Sequence, residues 1–237
     1  MTGPPVRLQA SSLAPTNDVE GDAVIIGFVG AGYMAQTLAR GWLAAGHQVR
    51  LANSRGPDTL TGVVRRLGPG AGAAATADLA AECEVIVLAL WWWQAPAAIA
   101  ALGPVDGRIV IDTVNNRRGP GPRDVIDIGG RTSSEVIAEM LPGAKVVKAF
   151  SHLPISATGA LADHPGTRAM FLAGDDAAAK AVVAGLIRDL GGIPADTGSL
   201  VGGGRLQGVG GPLSGHGRAL TLAEAERIRP GIIAMVS

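Results

Sequence analysis

Cysteine is nearly missing from this sequence: one thiol, Cys83, in 237 residues excludes a disulfide framework and a zinc cluster built within one chain. Cys83 stands at the entry to the apolar run from Val85 to Leu90, where it reads as a buried structural thiol rather than a nucleophile. Net charge is missing too. Lys+Arg 20 against Asp+Glu 20 leaves no positive field to hold a polyanion by counterion release, so nucleic acid is not an expected partner. Long hydrophobic runs are absent although 47% of the residues are hydrophobic. Gly, Pro or charge breaks every run well short of the ~20 residues a membrane span needs, so no membrane is expected. Histidines are few, and His47, His152, His164 and His216 lie in no metal-binding spacing, so no metal is expected.

What is present is glycine and a regular alternation of short apolar runs with helical patterns. Residues 1–22 are rich in Pro, Ser and Thr and lack a charged n-region before an apolar stretch. They are expected to be a disordered leader on a cytoplasmic protein. Ala23 to Val29 is a continuous apolar run, the pattern of a parallel strand buried on both faces. Tyr33 to Ala45 has helical spacing and ends at Gly46. Gln48 to Ala52 alternates as a second strand, and Asp58 is placed to cap a helix from Thr59 to Leu67. Further strands are expected at Glu84 to Leu90, Arg108 to Asp112, Lys145 to Phe150, Thr167 to Ala173 and Ile193 to Asp196. Helices are expected between them, including one opened by Thr132 and Glu135 and an Ala-rich one from Asp176 to Leu190. The glycine-dense stretch from Gly198 to Gly217 shows no helical pattern, and a weak helix follows from Thr221 to Arg227. The whole predicts an α/β, Rossmann-type doubly wound fold with a mostly parallel sheet and a small C-terminal extension. Residues 23–150 would form the nucleotide-binding domain, and 151–237 would complete the sheet and a second-substrate site.

The chemistry begins at Gly30-Ala31-Gly32-Tyr33-Met34-Ala35, which fits G-x-G-x-x-G/A and lies between a buried strand and an amphipathic helix, where that motif has meaning. Gly30 permits the tight turn, Gly32 lets a pyrophosphate approach the backbone, and Ala35 permits close helix packing. Proteins of this type that bind NAD place Asp or Glu at the end of the second strand, to take the ribose hydroxyls. Here that position is Asn53, followed by Ser54 and Arg55: a hydroxyl and a guanidinium suited to a 2′-phosphate, with no carboxylate to repel it. The cofactor is therefore expected to be NADP(H).

The stretch from Val24 to Asn53, ending in Asn53-Ser54-Arg55-Gly56-Pro57, resembles the F420-dependent NADP oxidoreductases. Val85 to Gln94, Ile109 to Thr113, Leu141 to Phe150, Phe171 to Asp176 and Gly191 to Gly198 resemble further segments of that family in the same order. The resemblance implies hydride exchange between NADP(H) and a deazaflavin, coenzyme F420, stacked on the nicotinamide. Positioning two flat rings supplies most of the rate advantage in such a step, so little acid or base is needed. It also implies that Leu90, Trp91, Trp92 and Ala149 border the nicotinamide, that Trp93, Leu153, Pro154 and Ile155 meet the second ring, and that the chain is a homodimer. The family's Val-Pro-Trp is replaced by Leu90-Trp91-Trp92-Trp93. The three tryptophans either stack on a flat ligand or pack into the core or a dimer interface. His152 either donates a proton beside the nicotinamide, to a small ketone or imine, or hydrogen-bonds its own loop. A third reading is an NADP-binding protein without redox chemistry. Arg55→Ala is expected to weaken NADPH binding far more than NADH binding in parallel titrations; equal losses would refute the assignment of Arg55 to the 2′-phosphate.

Overall fold

A computed structural model describes residues 23–119, 121–152, 165–216, 218–231 and 234–235. The expected leader lies outside the described residues. Among the described residues nine strands form one sheet in the order β3-β2-β1-β4-β5-β6-β7-β8-β9. They are β1 (Ile25–Val29), β2 (Gln48–Ala52), β3 (Ala71–Ala73), β4 (Val85–Leu88), β5 (Ile109–Asp112), β6 (Lys145–Ala149), β7 (Ala169–Gly174), β8 (Ile193–Asp196) and β9 (Ala234–Met235). All pairs from β3 across to β6 are parallel. β7 is antiparallel to β6, β8 is parallel to β7, and β9 is antiparallel to β8.

Helices cover both faces, as parallel strands buried on both sides require. One face carries α1 (Tyr33–Ala44), with Leu38, Ala39 and Trp42 packed on Ile26 and Phe28. The other carries the short α3 (Leu79–Glu82), α4 (Ala95–Ala100) and α5 (Ser133–Glu139), packed on Ile86, Leu88 and Val110. Between α1 and α3 in sequence lies α2 (Thr61–Leu67). The Ala-rich α6 (Ala177–Asp189) joins the α1 face through Val183, Ala184 and Ile187. Trp42 ties α1 to α6: its indole donates to the Leu186 carbonyl at 2.8 Å, and its ring lies between Phe28 and Phe150. His47 is structural in the same region. Its Nδ1 accepts from the Val24 N–H at 3.2 Å, and its Nε2 lies 3.0 Å from the Asp189 carboxylate.

Several expectations shift by a residue or two, and two need correction. Asp58 does not cap a helix, because residues Pro57–Leu60 form a 3₁₀ turn and α2 starts only at Thr61, whose hydroxyl donates to the Asp58 carbonyl. The glycine-dense stretch contains a helix, α7 (Leu200–Gln207). Ser199 caps it by accepting from the Gly202 N–H, and the glycines let it lie close to the sheet: a Cβ on Gly203 would come 2.6 Å from the Ala173 Cβ. Burial against β7 thus outweighs the poor helix propensity of glycine. The last helix, α8 (Leu222–Ile228), starts at Thr221 with a capping box to Glu224. Thr132 and Glu135 form the same device at the start of α5.

Under the ends of β5 and β6 the sheet holds a fully buried ion pair. Lys148 and Asp112 are both 0% exposed, with Nζ 3.3 Å from Oδ2. Lys148 also donates to the Val114 carbonyl at 3.0 Å and to Ser133 Oγ at 3.1 Å, while Ser134 Oγ donates to Asp112 Oδ2 at 2.5 Å. Every ammonium proton thus has an acceptor, which offsets the desolvation of the charge. Lys148→Ala leaves a buried carboxylate without its cation and is expected to cost about 3–5 kcal/mol in urea unfolding, whereas the double replacement Lys148→Met with Asp112→Leu should recover most of that loss.

Candidate functional site

The carboxyl ends of β1, β4, β5 and β6 share one edge of the sheet. The chain leaves β1 through α1 to β2 on one side, then returns to β4 on the other side of β1. A crevice opens at this reversal, the usual ligand position in doubly wound sheets. Its floor is Gly30, whose N–H donates to the Ala52 carbonyl at 2.9 Å and whose φ is +108°. A Cβ there would stand 2.2 Å from the Ala89 carbonyl oxygen, so the glycine is demanded both by backbone angle and by the neighbouring strand.

Gly32 is the N-cap of α1. It offers no side-chain cap, no acidic residue occupies the first turn, and a Cβ at Gly32 would meet nothing within 4 Å. The first N–H groups of α1 therefore face open space with the positive end of the helix dipole behind them, which suits a phosphate. Ala35 is fully buried against β1, Tyr33 is exposed, and Met34 is half-buried. The Met34 sulfur accepts from the Thr113 hydroxyl at 3.3 Å; the same hydroxyl also lies 2.7 Å from the Leu88 carbonyl.

At the end of β2, Asn53 shapes a turn. Its Oδ1 accepts from the Arg55 N–H at 2.9 Å, its Nδ2 donates to Thr59 Oγ1 at 3.0 Å, and Gly56 closes the turn with φ +88°. Asn53 is thus engaged within the loop, while Ser54 and Arg55 are exposed. Among the described residues the Arg55 guanidinium has no hydrogen-bond partner. An exposed cation beside a hydroxyl, in no ion pair among the described residues, fits a phosphate group on the ribose nearest β2. The open space over Gly32 fits a pyrophosphate.

The tryptophan run is divided by its 3₁₀ turn, Trp92–Gln94. Trp92 turns inward against the cluster that contains Leu88 and Leu90. Trp91 and Trp93 remain 45% and 53% exposed and stack on each other, centroids 5.1 Å apart and planes 14° apart. Ala149 is fully buried at the end of β6, where it pairs with Leu172 of β7. Leu153, Pro154 and Ile155 lie outside the described residues. In the loop that follows β5, Arg117 is used locally, donating to the Gly121 carbonyl at 2.9 Å.

His152 does not occupy the position of a proton donor. It is 4% exposed and its ring packs on Phe171, centroids 4.7 Å apart. Burial, with the charge of Lys148 adding to it, holds its imidazole down to about 3. Neither ring nitrogen reaches a hydrogen-bond partner. His152 is therefore neutral at physiological pH, and no imidazolium is available to protonate a substrate. Burial likewise pushes the Cys83 thiol up to about 11, and a Cβ on Gly27 would meet its Sγ at 2.9 Å, so Cys83 fills the space that a glycine on β1 leaves.

The sequence reading did not single out Thr113 or the Asp112 and Lys148 pair. One signal was available: the alternation within Lys145–Ala149 places Lys148 on the same face as buried Val146, which calls for a buried counter-charge. Among the described residues no cluster of His, Cys, Asp or Glu could hold a metal ion, and no helix is long and apolar enough to cross a membrane.

These features define a dinucleotide-binding Rossmann protein. Residues 25–116 match the family model described as NADP oxidoreductase, coenzyme F420-dependent. A crystal structure of a hypothetical protein of Sinorhizobium meliloti is 34% identical, with a TM-score of 0.75 over 84% of this chain and 96% of that one. The chain belongs to the coenzyme F420-dependent NADP oxidoreductase family. The metalloreductase STEAP3 of Rattus norvegicus is 27% identical over 183 residues, 77% of this chain but only 36% of the rat protein. A reductive aminase of Aspergillus terreus, solved with NADPH, shares the fold at 20% identity and a TM-score of 0.54, over 76% of this chain and 57% of that one.

The buried imidazole carries a consequence for pH. Its value in the folded chain lies below the ordinary 6.5, so the unfolded chain takes up a proton first as pH falls. Stability is then full above that ordinary value and declines as pH drops from there towards the folded value. Between about pH 7.5 and about pH 5 the loss should amount to about 2 kcal/mol in urea unfolding. In His152→Leu this part of the acid sensitivity should vanish; an unchanged pH profile would show that the imidazole is not held neutral by the fold.

Proposed function

We propose that the chain is an NADP-dependent oxidoreductase that exchanges hydride between NADPH and the deazaflavin coenzyme F420. The observation that carries this reading is the pairing of an uncapped α1 N-terminus, open above Gly32, with a turn after β2 that projects Ser54 and Arg55, the latter in no ion pair among the described residues. On this reading Gly30 and Gly32 admit the pyrophosphate to the α1 N–H groups, with Tyr33, Met34 and Ala35 forming the first turn beneath it. Asn53 holds the turn from which Ser54 and Arg55 bind the 2′-phosphate. Leu90, Trp91, Trp92 and Ala149 border the nicotinamide. Trp93 and residues 153–155 receive the second ring. Residues 23–150 are the NADP-binding unit, 151–237 complete the sheet and the second-substrate site, and a homodimer is the working form.

When bound, NADPH supplies the hydride. The chain's part is to bring two flat rings face to face and keep water from between them, which needs no ionised acid or base. The hydride reaches F420 together with one proton, NADPH + H+ + F420 giving NADP+ + F420H2, and because His152 is buried and held neutral that proton is taken from solvent rather than from its imidazole. Family membership supports the deazaflavin, as does the exposed, stacked pair Trp91 and Trp93 beside the crevice.

The decisive experiment mixes purified protein with NADPH and oxidised F420 and follows the loss of the deazaflavin's visible absorption. Stoichiometric reduction of F420 with NADPH consumption is expected. Tight NADPH binding with no reduction of F420 would overturn the deazaflavin assignment while leaving the cofactor in place.

A further inference from the structure

β6 ends in a turn that its sequence does not favour. Phe150 has φ +59° although it carries a bulky side chain, and the left-handed region is costly for such a residue. The conformation is held because the Phe150 ring is fully buried against Trp42, edge to face with centroids 5.8 Å apart. Backbone strain of this kind persists where the surrounding structure over-determines it, and it collects at functional sites. Its effect here is to bring Ser151 beside the loop that follows β5: Asn115 Nδ2 donates to the Ser151 carbonyl at 2.8 Å.

That contact settles the orientation of the Asn115 amide, because a carbonyl can only accept. The nitrogen must face Ser151, and the Oδ1 faces elsewhere. Asn115 Oδ1 and Ser151 Oγ are both shielded from water, and neither has a hydrogen-bond partner among the described residues. Ser151 as a residue is 8% exposed. An acceptor and a hydroxyl left unpaired in a water-excluded position are costly to keep unless a ligand or a water completes them. The backbone before them is fixed with unusual care. Val114 N–H donates to Asp112 Oδ1 at 2.8 Å and the Val114 carbonyl accepts from Lys148 Nζ at 3.0 Å, so the buried ion pair holds both polar groups of the residue preceding Asn115.

We propose that Asn115 and Ser151 hold the carboxamide of the nicotinamide ring, Asn115 Oδ1 accepting from its NH₂ and Ser151 Oγ donating to its carbonyl, with Asp112 and Lys148 as positioning residues. This rests on the NADP(H) reading above. A carboxamide offers donors and an acceptor side by side, the complement of this pair, and the adenine, which also does so, belongs at the β2 end of the crevice. The placement agrees with it. With the adenosine end towards β2 and the pyrophosphate over β1, the nicotinamide falls on the β4 side, and adjacent strands ~4.8 Å apart put the ends of β5 and β6 within its span. Holding the carboxamide fixes which face of the ring is presented to the hydride acceptor.

The test compares binding of three ligands by calorimetry: NADPH, its reduced acetylpyridine analogue, which keeps the carbonyl but has a methyl in place of the NH₂, and the adenosine bisphosphate fragment that lacks the nicotinamide. Wild type is expected to prefer NADPH over the analogue by about tenfold, and Asn115→Leu to bring that ratio close to unity. Ser151→Ala should weaken NADPH and the analogue alike, by about fivefold, because both keep the carbonyl. The fragment should bind all three proteins equally. A wild-type ratio near unity, or a ratio that Asn115→Leu leaves unaltered, overturns the assignment while fragment binding keeps the NADP(H) reading. Failure of wild type to bind either NADPH or the fragment would instead sink that reading. Should Asn115→Leu not fold, as judged by circular dichroism, the wild-type ratio and Ser151→Ala decide the matter: no loss of dinucleotide affinity in Ser151→Ala overturns the proposal.

Discussion

The close approach of Gly30 to the Ala89 carbonyl governs this molecule. Where β1 gives way to α1, the chain must turn at once and pass beneath the end of β4 with no room for a single methyl group. The crevice above Gly32, the direction of α1 and the aim of its first N–H groups all follow from that turn. Were β4 set back to admit a side chain, the helix would start farther from the sheet and its dipole would point past the crevice.

A second constraint acts two strands away. The buried Asp112 and Lys148 pair is dear in desolvation, and a hydrophobic pair of equal volume would stabilise the fold as well or better. What apolar side chains cannot do is hold the N–H and carbonyl of Val114 at once, as these two groups do. Trp42 plays the matching role on the opposite face, filling the space between Phe28 and Phe150 and bonding α6 through Leu186. The edge at which the strands end is thereby clamped from both sides of the sheet.

Much of the fold was legible because its signals are local. Buried parallel strands read as unbroken apolar runs, and the pairs Thr132 with Glu135 and Thr221 with Glu224 announce helix starts by chemistry that acts over three residues. The nucleotide motif was legible for the same reason, as a strand, a glycine turn and a helix in succession. α7 was hidden because Gly202, Gly203 and Gly204 have poor propensity, and only the tight fit of Gly203 against Ala173 and Thr197, contacts made across the sheet, lets them be helical. The inward turn of Trp92 between two exposed tryptophans, the burial of His152 and the Asn115 contact to Ser151 depend likewise on neighbours distant in sequence. No periodicity carries such information.

The reversal of direction between β6 and β7 reaches beyond the sheet itself. Because β7 runs against β6, its carboxyl end and the N-terminus of α6 lie at the opposite edge, where Asp176, the cap of α6, meets Lys145 at the beginning of β6 at 3.1 Å. The anion-attracting end of the molecule's longest described helix is thus spent on its own aspartate and a neighbouring lysine, far from the crevice. A strand–helix–strand unit that in parallel orientation would offer a second phosphate cradle beside the first is instead turned upside down. Among the described residues, the helix N-terminus of this second unit is therefore closed by its own cap and turned to the edge opposite the crevice.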